Sequence, residues 1–333
     1  MKIIIATDAW TPQVNGVVNT YRNVIASLEE QGIKIDAITP YLQDFKRNTL
    51  RIYPEIEYVT NVEMVAKVVK QKLTADSYIH IATEGPIGLM VRNYCVHRKI
   101  PFTTGFHTLF PEFIKERFFV PTWVTYPYFR WFHSKSAAIL VPTVQVKNHL
   151  VGKKFKNVEV WTRGVDLSLF NPSKKTKANT NYILCVSRVS KEKGLDDFCK
   201  LNHPNKVLIG DGPYLESLKE KYPDVKFLGK KVGEELAEWY ANADCFVFPS
   251  KSDTFGIVLL EAIASGTPVA AYPQPGPKEV IIEGRNGSID EDLQAATERA
   301  MVCDRYATYL TSEKWTWKNS AEQFLNKLIR ANN

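Results

Sequence analysis

Short runs of β-branched and other apolar residues alternate with longer amphipathic stretches, and this alternation occurs twice along the chain. It predicts strand–helix units around a parallel sheet, because parallel strands must be joined by long crossovers. In the first half we expect strands at residues 3–6, 34–38, 78–81, 102–104 and 138–141, with helices at 20–30 and 62–72. In the second half we expect strands at residues 182–186, 206–209, 225–228, 245–248 and 268–271. The sequence therefore predicts an α/β protein with two Rossmann-like, doubly wound domains.

A polar segment separates the two halves. Residues 171–181 contain one proline and no large apolar side chain, so they cannot bury themselves and are expected to be a linker. We therefore expect one domain at residues 1–170 and a second at 171–314. Near the C-terminus, apolar side chains recur at the spacing of one helix face; they are Ala321, Phe324, Leu325 and Leu328. They predict a helix within residues 315–333, which we expect to pack back on the first domain.

The net charge of +7 is confined to the first half, where 21 Lys and Arg oppose 14 Asp and Glu. The second half has 22 of each. The basic excess indicates either a solvated face or a surface for an anionic partner. No apolar run approaches the roughly 18 residues of a membrane span, and no signal peptide is recognisable, so a cytoplasmic protein or one on a membrane face is expected. The five cysteines have no Cys-x-x-Cys spacing, so we expect them to be buried rather than bridged or bound to zinc.

Three of the loops that follow predicted strands are rich in glycine or positive charge. Residues 10–17 include Gly16, where backbone can approach a ligand and the start of a helix favours an anion. Residues 187–194 carry Arg188 and Lys193, which together can neutralise a diphosphate. In residues 210–213, Gly210 and Gly212 permit close approach of a nucleotide. Taken alone, a turn glycine or a solvated loop explains each of these segments as well.

A fourth segment, residues 249–262, places two carboxylates on either side of a helix start. Asp253 and Glu261 are eight residues apart and flank Phe255-Gly256-Ile257, whose amides would open a helix. Carboxylates accept hydrogen bonds from sugar hydroxyls, so one can hold a hexose and the other a ribose while the amides hold phosphate. Asp253 as a helix cap is the alternative. A glutamate within an apolar helix, as at Glu261, is harder to explain without a ligand.

Taken in order, these segments resemble the retaining glycosyltransferase family 4, of GT-B fold. In the second half the resemblance rests on residues 187–194, 210–213, 227–229, 243–250, 253–261 and 264–269. In the first half the resemblance is to the mannosyl- and sulfoquinovosyl-type lipid and glycan transferases of that family. It rests on residues 12–17, 83–86, 106–108, 110–112, 163–166 and 169–170. The resemblance implies two Rossmann-like domains facing across a cleft, with the acceptor side in the first domain and the nucleotide sugar in the second.

The resemblance also assigns site residues. Those implied to bind the donor are Gly16, Arg188, Lys193, Gly210, Gly212, Phe227, Leu228, Asp253, Phe255, Gly256, Ile257 and Glu261. Arg188 and Lys193 are implied to bind the diphosphate, and Glu261 the ribose. Asp253 is implied to bind sugar hydroxyls, and His107 is implied to lie near the donor sugar. His107, Asp253, Arg188 and Lys193 are thus the catalytic candidates. Many family members have glutamate where this chain has Asp253, which bears on the identity of the donor sugar.

The expected reaction is transfer of a hexose from a nucleotide sugar to a lipid or glycan acceptor, and the basic first half favours an anionic one. GDP-mannose is the expected donor; a UDP-sugar transferase and a sugar-nucleotide epimerase are the alternatives. Fixed cations and helix-start amides can stabilise the leaving diphosphate, so no metal or other cofactor is expected. The acidic pairs that could mimic a metal site, Asp196-Asp197 and Asp290-Glu291-Asp292, are expected to be solvated. Nothing resembles a nucleic-acid-binding module.

An aromatic and basic stretch in the first half has two interpretations. It consists of Tyr126, Tyr128, Phe129, Arg130, Trp131, Phe132 and His133, preceded by Phe118, Phe119 and Trp123 beside Lys115 and Arg117. Buried helix packing is one interpretation, and contact with the acceptor or a membrane interface is the other. The histidine of the apolar strand at residues 78–81, His80, is expected to be structural.

Overall fold

The computed structural model describes residues 1–13, 15–50, 53–176 and 181–332. These residues form two units, one from Met1 to Thr162 together with the C-terminal residues from Trp317, and the other from Arg163 to Thr316. Among the described residues, no helix is both long enough and apolar enough to cross a membrane.

The first unit contains a six-stranded parallel sheet and a separate antiparallel pair. Its strands are β1 (Lys2–Ala6), β2 (Lys34–Ile38), β3 (Arg47–Leu50), β4 (Tyr53–Val59), β5 (Ser77–Ile81), β6 (Thr103–Gly105), β7 (Ala138–Val141) and β8 (Val158–Val160). The sheet has the order β2-β1-β5-β6-β7-β8, and β3 pairs with β4. Its helices are α1 (Gly16–Glu29), α2 (Glu63–Lys72), α3 (Pro86–Arg98), α4 (Phe110–Phe118), α5 (Thr122–His133) and α6 (Val144–Gly152). Ile3, Ile4 and Ile5 of β1 are fully buried, because a doubly wound sheet is covered on both faces.

The second unit repeats this architecture. Its strands are β9 (Ile183–Val186), β10 (Lys206–Ile209), β11 (Lys226–Phe227), β12 (Cys245–Phe248), β13 (Val269–Ala271) and β14 (Gly287–Ile289), in the parallel order β11-β10-β9-β12-β13-β14. Its helices are α7 (Leu195–Cys199), α8 (Leu215–Lys221), α9 (Gly233–Asn242), α10 (Ile257–Ala264), α11 (Pro275–Val280), α12 (Leu293–Met301) and α13 (Arg305–Leu310). All five cysteines are buried thiols.

The boundary between the units lies earlier than the sequence predicts. It falls between Thr162 and Arg163 rather than between residues 170 and 171. Val165 and Phe170 are buried in the core of the second unit, and the Val165 amide donates to the Trp315 carbonyl at 2.8 Å. Part of the expected linker, residues 177–180, lies outside the described residues.

The last helix, α14 (Trp317–Asn332), belongs to the first unit. Ala321, Phe324 and Leu328 are fully buried in a cluster that includes Tyr21 of α1. The indole nitrogen of Trp161, which follows β8, donates to the Ser320 carbonyl at 3.0 Å. The helix begins two residues later than expected, because Trp315 packs in the second unit.

In each sheet the strand order reverses at one point. The first unit reverses between β1 and β5, and the second between β9 and β12. Two crossovers leave such a point in opposite directions and open a crevice at the carboxyl ends of the strands, where open α/β sheets bind ligands.

Candidate active site

The loops that follow β9 and β12 lie against each other in the second unit. Gly194 has a φ of +63°, and a Cβ there would collide with the Pro249 carbonyl. The Ser252 hydroxyl donates to the Glu192 carbonyl at 3.4 Å. The segments that carry Arg188, Lys193 and Asp253 are therefore neighbours at the crevice.

Lys193 and Asp253 form an ion pair across these two loops. Lys193 Nζ lies 2.7 Å from Asp253 Oδ1, and both side chains are largely but not fully buried. The family resemblance assigns these two residues to different parts of the donor. Because they are 60 residues apart, no local sequence pattern predicts that they pair. The Asp253 carboxylate is the counterion of the Lys193 ammonium here, and a phosphate oxygen can take the same position.

Gly210 and Gly212 have a packing reason to be glycine. A Cβ at Gly210 would collide with the Ser187 carbonyl, and one at Gly212 with the Val189 carbonyl. The Val189 amide donates to the Asp211 carbonyl at 2.9 Å. These glycines therefore let two loop backbones meet and hold the segment on both sides of Arg188. Whether a nucleotide also approaches them stays a prediction.

The loop after β11 joins the same edge. The Gly210 amide donates to the Gly229 carbonyl at 2.9 Å, and the Leu228 amide donates to the Leu208 carbonyl at 3.1 Å. Phe227 and Leu228 are partly buried, each packed against the hydrophobic core.

The start of α10 is anchored by an aromatic side chain. Phe255 is buried, with its ring 5.9 Å from that of Trp315, and its carbonyl leaves no room for a Cβ at Gly276. Gly256 adopts a φ of +85° as the N-cap residue, and within the described chain no side chain caps the helix. The Leu259 amide donates to the Gly256 carbonyl at 3.0 Å, so the first-turn amides available to an anion are those of Ile257 and Val258.

Glu261 lies just over one turn into α10, closer to the helix start than its eight-residue distance from Asp253 suggests. Tyr240 of α9 donates its hydroxyl to Glu261 Oε2 at 3.0 Å. Burial raises the pKa of Glu261 to about 7, and the hydrogen bond from Tyr240 opposes this rise.

Gly16 opens α1 in the first unit and faces free space. Among the residues that the structure describes, none beyond its chain neighbours and its own helix has an atom within 4 Å of the position that its Cβ would occupy. The side chain of Asn15 accepts hydrogen bonds from the Val17 and Val18 amides, each at 3.0 Å. The α1 amides that a ligand could reach are therefore partly occupied by the chain itself.

His107 follows β6 and is held by a tyrosine that the sequence analysis did not single out. Its Nε2 lies 2.7 Å from the hydroxyl oxygen of Tyr21, a fully buried residue in the second turn of α1. Gly105 makes this contact possible, because a Cβ there would collide with the His107 ring. Helix α1 therefore connects Gly16 with His107.

Asp8 is a second residue that the sequence analysis missed, although it directly follows a buried strand. It accepts hydrogen bonds from the Thr83 hydroxyl and the Ile87 amide, each at 2.8 Å, and so joins the loops after β1 and β5. Burial and the nearby Glu84 carboxylate raise the pKa of Asp8 to about 6, against the effect of these hydrogen bonds.

The acidic pairs have structural roles. Asp292 caps α12 by accepting from the Gln294 amide at 2.9 Å, and Asp290 pairs with Arg299 at 2.8 Å. Asp196 accepts hydrogen bonds from Tyr214 and Tyr222 at 3.0 and 2.9 Å.

Comparison with known proteins identifies the class. Residues 14–169 match the family model described as Glycosyltransferase Family 4, and residues 169–299 match the model described as Glycosyl transferases group 1. The two models match most of both units, and they identify the chain as a glycosyltransferase. The chain belongs to glycosyltransferase family 4.

Curated relatives span nearly the whole chain. A GDP-mannose-dependent alpha-mannosyltransferase of Corynebacterium glutamicum is 26% identical over 98% of this chain and 88% of its own. Sulfoquinovosyl transferase SQD2 of Arabidopsis thaliana is 26% identical over 96% of this chain and 71% of its own. Alpha-monoglucosyldiacylglycerol synthase of Streptococcus pneumoniae is 27% identical over 97% and 83%.

Solved structures confirm the GT-B fold. Sucrose-phosphate synthase from Thermosynechococcus elongatus has a TM-score of 0.76 at 18% identity, with both chains covered fully. Anabaena HepE in complex with UDP-glucose has a TM-score of 0.72 at 17% identity, covering 99% of this chain and all of its own. At these identities the likeness shows the fold alone.

Glu261→Gln is expected to change how stability depends on pH. A carboxyl whose pKa is about 4.5 in the unfolded chain and about 7 in the folded protein makes the free energy of unfolding fall as pH rises between these values. The variant lacks this ionisation, so its stability relative to wild type should rise by up to about 3 kcal/mol from pH 4.5 to pH 8. Urea unfolding at a series of pH values measures it. Glu220→Gln, at an exposed position in α8, is the control and should run parallel to wild type.

Proposed function

We propose that the protein transfers mannose from GDP-mannose to a lipid or glycan acceptor, with retention of anomeric configuration and without a metal. One observation carries the proposal. At the crevice after β9 and β12, the second unit brings together the Lys193–Asp253 pair and the uncapped start of α10. Cations and helix-start amides suit a diphosphate, and a carboxylate suits the hydroxyls of a sugar. The curated relatives named as GDP-mannose-dependent mannosyltransferases support the choice of donor.

The charges of this site fit the bond that must break. When the bond between C1 of the sugar and the β-phosphate oxygen breaks, negative charge develops on the diphosphate. Arg188, Lys193 and the first-turn amides of α10 stabilise that charge as fixed groups. The acceptor oxygen bonds to C1 from the same face, and its proton passes to the leaving phosphate oxygen. No carboxylate nucleophile is required in this sequence of events.

The direct test offers a panel of nucleotide sugars in the presence of EDTA, with release of nucleoside diphosphate and product stereochemistry as readouts. GDP-mannose should be used fastest, and the transferred sugar should keep its α configuration. Faster use of a UDP-sugar would reassign the donor, for which the Anabaena HepE complex with UDP-glucose is the precedent in this fold. Epimerisation of the sugar without transfer would favour the alternative enzyme class. Activity that is lost in EDTA and restored by magnesium or manganese would contradict the metal-free proposal.

Variants of the candidate site residues should affect nucleotide binding in opposite directions. Arg188→Ala, Lys193→Ala and Glu261→Ala should each weaken binding of the nucleoside diphosphate by about 1.5–3 kcal/mol, because each removes a charged hydrogen-bonding group. Asp253→Asn should strengthen that binding, because Lys193 then has no protein carboxylate at 2.7 Å to compete with phosphate. The same variant should still transfer sugar more slowly, because it lacks the carboxylate for the sugar hydroxyls.

Calorimetry with the free nucleoside diphosphate decides between these expectations. Lys191→Ala is the matched control, since Lys191 lies on the same loop with an exposed side chain. Unaltered affinity in all three alanine variants would place the diphosphate elsewhere. Weaker binding by Asp253→Asn would contradict the proposed competition for Lys193.

We further propose that the acceptor is a lipid in an anionic membrane, reached through the first unit. Helices α4 and α5 and their connection expose large aromatic side chains, with Phe119 88% and Trp123 77% accessible. Lys115 and Arg117 lie in the last turn of α4 beside them. Tyr126, Phe129 and Phe132 of α5 are buried, as the packing interpretation of the aromatic stretch expects, whereas Tyr128 and Trp131 are exposed and are candidates for the proposed membrane contact.

A double variant tests this membrane contact. Phe119→Ser with Trp123→Ser should reduce co-sedimentation with vesicles of phosphatidylglycerol several-fold, because interfacial aromatics and basic residues act together. Salt at 1 M should also release the wild-type protein, since the Debye length falls to about 3 Å. Tyr306→Ser, at an exposed tyrosine of the second unit, is the control. Equal, negligible pelleting of wild type with neutral and anionic vesicles at low salt would indicate a soluble glycan acceptor instead.

A further inference from the structure

A chain of short polar contacts leads from His107 into the core of the first unit. His107 Nε2 lies 2.7 Å from the Tyr21 hydroxyl oxygen, and the same oxygen lies 2.7 Å from His80 Nε2. On the other side of the His80 ring, Nδ1 lies 2.8 Å from Thr103 Oγ1. Tyr21, His80 and Thr103 are fully buried, whereas His107 is partly exposed. One end of this series of contacts is therefore the partly exposed His107, and the other end lies within the sheet of the first unit.

Neighbouring elements fix the rings of this chain. Tyr21 comes from α1, His80 from β5 and Thr103 from β6. The His80 ring meets the Phe324 ring of α14 edge-on at 4.9 Å, and the Tyr21 ring lies 5.6 Å from the Trp161 ring. These aromatic contacts restrict rotation of the His80 and Tyr21 rings, so the polar atoms on the rings keep their partners.

The number of protons sets the direction of the hydrogen bonds. A tyrosine hydroxyl has a single proton, so Tyr21 donates to one histidine and accepts from the other. If Tyr21 donates to His107, then His80 donates from Nε2 and its bare Nδ1 accepts from Thr103 at 2.8 Å. In the opposite direction Thr103 must accept from His80, and its own proton has the Ile79 carbonyl at 3.5 Å as acceptor. A buried hydroxyl favours the direction in which its bond is short.

We propose that Tyr21, His80 and Thr103 are positioning residues that hold neutral His107 with its proton on Nδ1. Nε2 of His107 then accepts from Tyr21, and the Nδ1–H on the other edge of the ring is the donor that His107 offers to an oxygen of the substrate. The inference rests on the proposed function and on the place near the donor sugar that the family resemblance implies for His107. It adds that contacts in the core of the first unit, and not the substrate, determine which ring nitrogen of His107 carries the proton.

The tautomer can be observed without any activity. In ¹H–¹⁵N long-range correlation spectra of the wild-type protein, assigned with a His107→Gln sample, His107 should show a protonated Nδ1 and a bare Nε2. In Tyr21→Phe the ring remains packed but the hydroxyl is lost, so the signature should shift toward protonated Nε2. Thr103→Val, which removes the hydroxyl at the far end, should shift it in the same direction without touching His107.

Kinetics supply the second readout. Tyr21→Phe should lower kcat on the order of 10- to 100-fold while KM for the donor and affinity for the nucleoside diphosphate change less than about twofold, because a misplaced donor acts on the transition state. Tyr94→Phe, a tyrosine of α3 in the same unit, is the matched control and should keep wild-type kcat.

Two results would overturn the inference. One is a protonated Nε2 on His107 in the wild-type protein, which needs no variant to fold. The other is wild-type kcat in Tyr21→Phe when His107→Ala has lost it. An inactive wild-type protein with the expected tautomer would count against the proposed function and leave the hydrogen-bond direction established.

Discussion

The parallel pairing of β9 with β12 determines where the second unit can bind a ligand. Because both strands run the same way and their crossovers leave in opposite directions, the loops at 187–194 and 249–256 must emerge side by side. Every other feature of the site depends on that constraint: the contact of Gly194 with Pro249, the Lys193–Asp253 pair and the exposed start of α10. The glycines at 210 and 212 extend it to a third loop.

The strength of the Lys193–Asp253 pair suits a site that exchanges ligands. An ion pair that is partly exposed is worth about 0–1 kcal/mol, so breaking it costs little. A diphosphate carries more charge than one carboxylate and can therefore displace it. Glu261 differs, because burial raises its pKa to about 7 and its ionisation needs a donor such as Tyr240 or a hydroxyl of a ligand. Under the proposed function, a bound diphosphate would release the Asp253 carboxylate from Lys193, and a hydroxyl of the ligand would favour the charged form of Glu261.

The parts of the structure that depend on short sequence patterns could be predicted. The apolar runs of β1 and β12 predict a parallel sheet. The glycines and charged residues that follow these runs predict loops at its carboxyl edge. No apolar run marks the antiparallel pair β3–β4, because polar residues such as Arg47 and Asn48 begin it, and none marks β8, whose three residues include the charged Glu159. The unit boundary was placed late, since the segment that contains Val165 and Phe170 looks like any loop until its core is known.

The contacts that organise the site were beyond prediction for a different reason. Tyr21 with His107, and Lys193 with Asp253, are separated by 86 and 60 residues, so no spacing records them. His80 was expected to be structural, and its burial agrees, but its partner Tyr21 connects it to a candidate catalytic residue. Asp8 joins two loops in the same way. Such pairs come from the topology, which places distant strand ends together.

Three helix starts in the loops of the candidate residues differ in how their first-turn amides are occupied. At α1 the Asn15 side chain accepts from two first-turn amides, and at α3 the Asp8 carboxylate accepts from the Ile87 amide. The start of α10 has a glycine N-cap and, in the described chain, no capping side chain. A carboxylate already at α3 also repels a second anion. Under the proposed function the diphosphate binds in the second unit although the excess of positive charge is in the first, where α4 and α5 expose the surface proposed to contact a membrane.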